Sequence, residues 1–457
     1  MSHLLATSPF PFDHLYKWGS LSSEEIDNYV KIGMDVLFIN PRTELALKSK
    51  IFHREPPNGL LLLSAILENA GFDVAFLDWA YNAADLKSYL AEEPKIMGIT
   101  SLTNTHNLAM KILKKVKESQ PDVITLYGGP HATFKYAEIL RKNKDVNYIL
   151  CGEADLTILE FVRAIFSSNM QNFFQIPNLA FRINGKIHYN ESYIPANLDN
   201  LPLPARHLID LQNYDVGTII VNRGCPFNCA FCVRQRIFQQ VRFRKIINVV
   251  HEMQVLSRLG FQFVNLYDNL NISEQYALKL CQEIEKSKIS LNWGCELRAD
   301  KISAELANAL KKANCKVIAV GVESGDPKVL QIINKNQDIK MVKKGINAAK
   351  KAGLAIQAYF IVGLPGETHE SFIQTCKLLD ELALEPGIDR VNFFAATPYP
   401  GTSFYECPEK YGIQILHENW DLYDNEHLIL KLNSISFAEL ESIFKEAKEI
   451  EKEYVDY

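Results

Sequence analysis

Three cysteines stand close together in one short loop, at the spacing C-x3-C-x2-C. They are Cys225, Cys229 and Cys232, in a stretch with glycine and proline that follows the apolar run 217–221. A loop of this length can wrap three thiolates around one face of an iron–sulfur cube, whose irons are held by cysteine thiolates. Three ligands for four irons leave one iron open, where a substrate or cosubstrate can bind. The spacing therefore predicts a [4Fe–4S] cluster with one open iron, in contrast to an electron carrier with four cysteines.

A zinc site is the alternative for such a loop. A structural zinc ion takes four ligands, and the nearest histidines, His207 and His251, lie well outside the loop. The ligand count favours the cluster.

Length and composition are those of a soluble, multidomain enzyme. The chain has 457 residues, of which 47% are hydrophobic and 23% charged, and its net charge is −5. This length suggests two or three domains. Because acidic and basic residues are spread along the chain without a basic patch, we expect no nucleic-acid partner. No apolar run approaches the roughly 18 residues of a transmembrane helix, and residues 1–18 do not have the pattern of a signal peptide.

The six other cysteines are scattered singly along the chain, so that nine are present in total. An odd number at irregular spacing is a poor disulfide framework. We therefore expect a reducing, cytoplasmic setting, which would also protect an open cluster from oxygen.

The first part of the chain alternates short apolar runs with amphipathic segments, which predicts a parallel, doubly wound α/β sheet. Strands are predicted at 34–40, 74–77, 95–101, 123–127 and 146–150, helices at 60–70 and 109–119, and a hairpin at 179–188. Residues 198–206 are expected to be extended, because their prolines disfavour a helix. Ligands of such sheets bind beyond the carboxyl ends of the strands, where the loops 40–42, 101–104, 128–131 and 151–153 lie.

Two of these loops resemble those of the cobalamin-binding domain: an S-x-L follows the third strand and a G-G the fourth. Paired glycines let a backbone approach a bulky ligand, although a G-G by itself is typical of a tight turn. In that family these loops line the channel for the nucleotide tail of the corrinoid. The resemblance implies that cobalamin is contacted by Ser101, Leu102, Thr103, Gly128, Gly129, Pro130, His131, Gly152 and Glu153.

One departure from the methionine-synthase type of that domain concerns cobalt. That type carries D-x-H-x-x-G after its first strand, and its histidine binds cobalt from below. Here the loop reads Asn40-Pro-Arg-Thr-Glu-Leu-Ala46. No histidine ligand to cobalt is expected at this position.

The alternation of strands and helices resumes after the cysteine loop. Predicted strands at 263–267, 290–295, 317–320, 355–362 and 391–395 join the one before Cys225, which makes six βα units. Six units are too few to close the eight-stranded barrel, so we expect an open, partial barrel with its reactive loops at the C-terminal ends of the strands. Trp293, Phe393 and Phe394 are expected in the core. The amphipathic helix predicted at 437–454 is expected to belong to a cap on the barrel; a substrate lid is the alternative.

Short motifs behind the cysteine loop resemble the radical S-adenosylmethionine (radical SAM) superfamily over about residues 215–405. They are Asp268-Asn269, E-L-R-A-D at 296–300, G-V-E-S-G at 321–325, G-L-P-G-E-T at 363–368 and T-P-Y-P-G-T at 397–402. By this resemblance Cys225, Cys229 and Cys232 hold the cluster and its open iron takes S-adenosylmethionine. The residues implied to contact S-adenosylmethionine are Phe231, Asp268, Glu296, Arg298, Gly321, Glu323 and Ser324.

Each motif also has an ordinary structural alternative. Glu323 could cap the next helix, because carboxylates favour helix N-termini. Arg298 could form a surface ion pair with Asp300, and 363–366 could be only a turn. The joint order of the motifs behind the cysteine loop favours the functional interpretation.

The two parts together have the layout of the cobalamin-binding radical SAM enzymes, which include many methyltransferases and the anaerobic oxidative cyclase of Mg-protoporphyrin monomethyl ester. In such enzymes the cofactors carry the chemistry and the protein orients them. The resemblance implies a [4Fe–4S] cluster, S-adenosylmethionine and cobalamin, an electron donor such as flavodoxin or ferredoxin, and a small-molecule, lipid or natural-product substrate.

The activity we expect is methyl transfer to an unactivated carbon. Two alternatives stay open: an oxidative cyclase or ring-rearranging enzyme that transfers no methyl group, and a non-enzymatic corrinoid sensor, in which the cysteine loop would have no role. The expected domains are an N-terminal extension (1–33), a cobalamin-binding domain (34–200), a partial barrel (201–405) and a helical cap (406–457).

Overall fold

The structure is a computed structural model that describes residues 34–42, 54–167, 170–192, 195–383 and 388–454. The predicted extension at 1–33 lies outside these ranges. The described residues form two α/β units, each built on its own sheet, and a C-terminal segment with a small hairpin and a long helix.

The first sheet has seven strands in the order β2-β1-β3-β4-β5-β6-β7. Its strands are β1 Val36–Asn40, β2 Val74–Asp78, β3 Ile96–Thr100, β4 Ile124–Gly128, β5 Tyr148–Leu150, β6 Leu179–Ile183 and β7 Lys186–Tyr189. The strands β1 to β5 are parallel, and β6 and β7 run antiparallel at one edge. The five predicted strands and the hairpin are confirmed; that the hairpin extends the sheet was not predicted.

Helices cover both faces of this sheet, so its strands are apolar on both sides. In β1, Leu37 and Ile39 belong to one core cluster while Val36 and Phe38 belong to another, which explains the unbroken apolar run in the sequence. The helices are α1 Asn58–Asn69, α2 Trp79–Asn82, α3 Leu86–Ala91, α4 His106–Ser119, α5 Pro130–Lys142 and α6 Ile158–Phe166. The strand order reverses between β1 and β3, and ligands of doubly wound sheets bind at such a point.

Helix α4 begins three residues earlier than predicted. Its buried positions include His106, Ala109, Ile112, Leu113 and Val116. The imidazole of His106 occupies a core position in the first turn. Because histidine is not an apolar residue, the apolar pattern in the sequence does not include this turn. The helix start predicted from that pattern was therefore wrong by one turn.

The second sheet has six parallel strands in the order β15-β14-β13-β12-β11-β8, with β8 and β15 at its edges. The strands from here on are β8 Gly217–Ile220, β9 Asn222–Arg223, β10 Arg242–Phe243, β11 Phe263–Asn269, β12 Asn292–Leu297, β13 Cys315–Glu323, β14 Ala355–Val362 and β15 Arg390–Ala395. The helices are α7 Arg234–Ile237, α8 Ile246–Arg258, α9 Glu274–Ser287, α10 Ala304–Lys312, α11 Pro327–Ile332, α12 Ile339–Lys351 and α13 His369–Ala383. The predicted six-stranded open barrel is confirmed.

Aromatic residues of these strands divide between the two faces of the sheet. Trp293 and Phe393 are fully buried in the core, where Trp293 Nε1 donates to the carbonyl of Ala313. Phe394 is only half-buried, and its ring lies 5.6 Å from that of Tyr359. Placing Phe394 in the core was wrong, because successive strand residues point to opposite faces.

The C-terminal segment contains α14 Ser403–Glu406, the antiparallel pair β16 Ile413–Ile415 and β17 Leu430–Leu432, and α15 Phe437–Glu453. The predicted helix is confirmed as α15, which begins with a capping box between Ser436 and Glu439. The β16–β17 hairpin was not predicted. Among the residues described, none of the helices combines the length and the apolar character needed to cross a bilayer.

Candidate functional site

The cysteine loop begins at a small sheet formed by β9 and β10. Arg223 pairs with Arg242 and Asn222 with Phe243 in antiparallel register. Gly224 follows at φ +88°, and a Cβ there would clash with the carbonyl oxygen of Gln240. Only glycine fits this turn. The pair β9–β10 therefore closes the base of a lobe, residues 224–240, that carries all three cysteines.

Backbone hydrogen bonds brace the cysteine loop from two sides. The amide of Ala230 donates to the carbonyl of Ile333 at 2.8 Å, and the amide of Ser403 donates to the carbonyl of Ala230 at 3.0 Å. The side-chain amide of Asn334 donates to the carbonyl of Asn228 at 2.7 Å. The loop is thus held between the end of α11 and the start of α14.

The three cysteines of the loop are free thiols. Burial raises the pKa of Cys225, and it raises the pKa of Cys229 to about 11. The thiols of Cys225 and Cys229 are protonated at neutral pH, so a metal cluster must displace these protons when it binds. No described group of three His, Cys, Asp or Glu side chains is arranged to hold one metal ion. A cube distributes its thiolates over different irons, and three free thiols in one braced loop fit that requirement.

Glu323, at the end of β13, has a backbone that is unfavourable for a side-chain-bearing residue. Its φ is +68°, and Lys335 Nζ lies 2.6 Å from its carboxylate in a buried ion pair. The cap of α11 is Asp326, whose carboxylate accepts from the amide of Lys328. The interpretation of Glu323 as a helix cap was therefore wrong. Such a strained backbone is often found at functional sites.

Arg298 connects β12 to the cysteine loop. Its guanidinium lies 4.0 Å from the centre of the Phe227 ring, inside the loop. It also pairs with Asp300 at 3.0 Å and donates to the carbonyl of Lys335. The pairing with Asp300 is confirmed, but it is buried and not at the surface.

The other residues implied to contact S-adenosylmethionine lie in the cysteine loop or near the C-terminal ends of β11, β12 and β13. A Cβ at Gly321 would clash with the carboxylate of Glu323, while Ser324 is buried and accepts from the amide of Asp326. Glu296 is half-buried near the end of β12. The ring of Phe231 lies 6.5 Å from that of Phe404. Asp268 lies in the irregular last part of β11.

Sequence reasoning missed Glu55, which reaches from the first unit to the inner face of the second sheet. Asn265 donates to its carboxylate at 2.6 Å, and the Tyr267 hydroxyl also contacts it. Glu55 belongs to no motif, so its role could not be read from the sequence. The alternation of Asn265 and Tyr267 with apolar residues in β11 was the available signal for a polar inner face.

In the first unit, the loops after β3 and β4 form a buried polar cluster. The Tyr127 hydroxyl contacts Ser101 Oγ and lies 2.8 Å from His106 Nδ1. His131 Nδ1 lies 3.3 Å from Thr103 Oγ1, and the two imidazole rings are 4.3 Å apart. Burial lowers the pKa of His106 to about 4 and, with the neighbouring His106, that of His131 to about 3. Both imidazoles are therefore neutral at neutral pH.

His131 Nε2 is buried, with no hydrogen-bond partner among the described residues. Gly129 next to it has φ +96°, and a Cβ there would lie 2.5 Å from the carbonyl oxygen of Ser101. Gly128 would tolerate a Cβ, so only the second glycine is required sterically. His131 Nε2 thus lacks a hydrogen-bond partner among the described residues and lies near a loop whose conformation requires Gly129. This arrangement is suited to bind a polar group of a ligand.

The remaining residues implied to contact cobalamin are dispersed around this cluster. Leu102 is exposed, Pro130 is the first residue of α5, and Gly152 has φ +66°. Glu153 is buried and is held by two arginines of the second unit, Arg223 at 2.6 Å and Arg242. The structure therefore places Glu153 between the two units.

The carboxyl ends of the first sheet face the second unit and the C-terminal segment at several points. After β2, Asp78 accepts from the Tyr214 hydroxyl at 2.9 Å. After β4, Lys135 donates to the Tyr405 hydroxyl at 2.9 Å, and the His131 ring lies 4.8 Å from that of Trp420. The loops predicted for cobalamin and the loop predicted for the cluster thus border one interface.

The comparisons with known proteins agree with this arrangement. Residues 45–162 match the B12 binding domain, and residues 219–379 match the radical SAM superfamily. An uncharacterized methyltransferase of Pyrococcus horikoshii is 28% identical over 428 residues, which are 91% of this chain and 91% of that protein. The anaerobic magnesium-protoporphyrin IX monomethyl ester cyclase of Rubrivivax gelatinosus is 28% identical over 429 residues, 89% of this chain and 75% of the relative.

A solved structure has the same fold over most of the chain. It is the radical S-adenosylmethionine methyltransferase TsrM from Kitasatospora setae with cobalamin and a [4Fe-4S] cluster bound. It aligns with a TM-score of 0.73 at 17% identity and covers 91% of each chain. The two units of the fold therefore occur together in one known architecture.

Proposed function

We propose that this chain, which belongs to the cobalamin-binding radical SAM enzymes, is a methyltransferase that acts on an unactivated carbon of a small molecule. The observation that carries the proposal is the shared interface. The braced loop with three free thiols and the loops after β3, β4 and β5 border it together. A relative over 91% of the chain is described as a methyltransferase.

The residues present fit the three cofactors that such an enzyme uses. Cys225, Cys229 and Cys232 would hold a [4Fe–4S] cluster, and its open iron would take S-adenosylmethionine. When bound, the cluster and S-adenosylmethionine supply radical chemistry at carbon, and cobalamin supplies a transferable methyl group.

Several residues of the chain would bind S-adenosylmethionine and hold it in place. Lys335 neutralises Glu323 and so keeps its carboxylate in a fixed orientation at the end of β13. Arg298 holds Phe227 and the cysteine loop against β12. The proposed contacts with S-adenosylmethionine are those implied by resemblance: Phe231, Asp268, Glu296, Arg298, Gly321, Glu323 and Ser324.

On the other side of the interface, the buried polar cluster would receive the nucleotide tail of cobalamin. The neutral imidazole of His131 can hydrogen-bond through Nε2. Gly129 lets the two loops pack closely. Ser101, Leu102, Thr103, Gly128, Pro130 and Gly152 stay proposed contacts, whereas the ion pairs with Arg223 and Arg242 support a different role for Glu153.

The setting of the reaction is proposed as well. The electron donor would be a flavodoxin or a ferredoxin, and the compartment a reducing one, since all nine cysteines are free. The proposed domain bounds are 34–200 and 201–405, with a cap at 406–457.

The test is turnover with labelled S-adenosylmethionine. The anaerobically reconstituted protein, with hydroxocobalamin and a reductant, is incubated with a panel of candidate metabolites and S-adenosylmethionine that carries a trideuterated methyl group. Mass spectrometry should find one metabolite that gains the labelled methyl group. The Cys229→Ala variant should bind hydroxocobalamin normally and form no product.

Other outcomes would contradict the proposal in distinguishable ways. A cyclised or rearranged product without the label would assign the cyclase activity instead, which the Rubrivivax relative makes the second candidate. Corrinoid binding without any cleavage of S-adenosylmethionine would indicate a sensor.

A further inference from the structure

Two arginines at the base of the cysteine-bearing lobe point to the first unit. Arg223 in β9 and Arg242 in β10 are cross-strand neighbours. Arg223 is only two residues before Cys225, and the small β9–β10 sheet fixes both side chains relative to the lobe. Whatever holds these arginines therefore also holds the cysteine loop.

Their partners are two carboxylates in the loop after β5 of the first unit. Arg223 Nη1 lies 2.6 Å from Glu153 and 2.5 Å from Asp155, and its Nη2 donates to the other oxygen of Asp155 at 3.0 Å. Arg242 pairs with the second oxygen of Glu153 and donates to the carbonyl of Ala196 at 2.7 Å. Arg223 is thus a fork that grips two acids at once, a geometry that a lysine cannot reproduce.

The group is buried and balanced in charge. The side chains of Arg223, Glu153 and Asp155 are at most 9% exposed, and that of Arg242 is 15% exposed. Two arginines and two carboxylates thus face each other in a site shielded from water. Loss of Arg223 removes the arginine that pairs with both carboxylates and leaves two buried acids facing Arg242 alone, which is costly in a buried site.

We propose that Arg223 is a positioning residue that fixes the cysteine loop at one distance and orientation from the first unit. With the cofactors bound, this contact sets the separation between the cluster and cobalamin. The inference rests on the proposed cofactors but not on methyl transfer. The resemblance implied that Glu153 contacts cobalamin. Under this proposal Glu153 instead binds the arginines that hold the cysteine-bearing lobe.

The variants are chosen to separate positioning from general stability. Arg223→Gln removes the fork, and Arg223→Lys keeps the charge but reaches one acid at a time. The matched control is Arg244→Gln: Arg244 is also largely buried, but its acid is Glu252 in α8 of the same unit. Asp155→Asn supplies a milder change on the other side of the contact.

The first measurement uses the protein without cofactors. Hydrogen–deuterium exchange should rise about a hundredfold or more in Arg223→Gln for peptides covering 151–157 and 222–243, because a buried charge is left unpaired. Arg223→Lys and Asp155→Asn should show smaller increases at the same peptides. Arg244→Gln should change exchange near α8 and leave 151–157 as in the wild type.

The second measurement uses the loaded protein. Pulsed electron paramagnetic resonance between cob(II)alamin and the reduced cluster should give a narrow distance distribution in the wild type and in Arg244→Gln. The distribution should broaden or shift in Arg223→Gln, with Arg223→Lys between the two.

Two results would overturn the proposal. One is a wild-type distance distribution in Arg223→Gln that carries its full cluster and corrinoid. The other is exchange at 151–157 that responds equally to Arg223→Gln and Arg244→Gln. If Arg223→Gln does not fold, Arg223→Lys and Asp155→Asn decide by the same two readings. Failure of the wild type to methylate any metabolite would affect the proposed function and leave these readings intact.

Discussion

Glu367, in the turn after β14, offers a test of the electrostatics of the strand ends. Its side chain is buried, and the amides of Gly363 and Leu364 donate to its carboxylate. Burial raises the pKa of Glu367 from 4.5 to about 8, although the two amides oppose the shift. The folded protein therefore binds a proton here between about pH 4.5 and 8 that the unfolded chain has released.

The sign and the size of the effect follow from that difference. Where the native state binds one proton more than the unfolded state, the free energy of unfolding falls by about 1.36 kcal/mol per pH unit. The stability from this group is full below pH 4.5 and is lost as the pH rises through about 8. Between pH 6 and 8 the wild type should lose about 2.3 kcal/mol of its free energy of unfolding through Glu367. The Glu367→Gln variant lacks this pH-dependent contribution to the free energy of unfolding, because its amide does not titrate.

The measurement is urea unfolding of the wild type and Glu367→Gln at pH 6, 7 and 8. The wild type should lose stability relative to the variant as the pH rises. Glu370→Gln is the control. Glu370 lies three residues further on, in the first turn of α13, but it is exposed, and the backbone and Thr368 lower its pKa. Its difference from the wild type should stay constant over this range. A constant difference for Glu367→Gln, or one of opposite sign, would show that the two amides outweigh burial and keep the carboxylate ionised.

Three further predictions concern the two cofactor sides. Gly129→Ala should destabilise the first unit by about 1–3 kcal/mol in urea and weaken the binding of hydroxocobalamin, because φ is +96° and the neighbouring loop is in contact. Lys335→Met should cost about 3–5 kcal/mol because it leaves Glu323 buried and unpaired, and the double change with Glu323→Gln should recover part of that loss. Trp420→Ala should uncover His131 and raise its pKa from about 3, so that hydroxocobalamin affinity falls between pH 7 and 5.5 in the variant but not in Trp420→Phe.

Local sequence patterns sufficed for the strands. The run before Pro41 and the run before Asp78 end within a residue of β1 and β2, because apolar residues and the chain breakers after them act over short distances. The partner of a strand is not a local property. The hairpin β6–β7 was therefore predicted as a hairpin, while its position at the edge of the first sheet was not.

The candidate site shows the same difference between features that are local in the sequence and contacts between distant residues. Motif residues such as Cys229 and Glu323 could be named from their order along the chain. The contacts that fix them could not, because Arg223 and Glu153 are 70 residues apart and neither sequence context indicates the other. The pairing of Arg298 with Asp300, read from the sequence, is present, and the structure adds that the same guanidinium lies against Phe227 of the cysteine loop.

The interface between the two units is polar where it meets the cysteine lobe and aromatic where it meets the C-terminal segment. On the first side Arg223 belongs to a buried group of four ion-paired side chains. On the second side Trp420 packs on His131 and Tyr405 on Lys135. A buried ion group adds little net stability compared with apolar packing, because desolvation of the charges offsets their attraction. The ion group restricts the relative position of the two units more strongly, however. A displacement separates its charges, whereas apolar surfaces can shift against each other and stay in contact. The side of the interface at the cysteine lobe thus has the chemistry of a fixed contact, as the proposed positioning role of Arg223 requires.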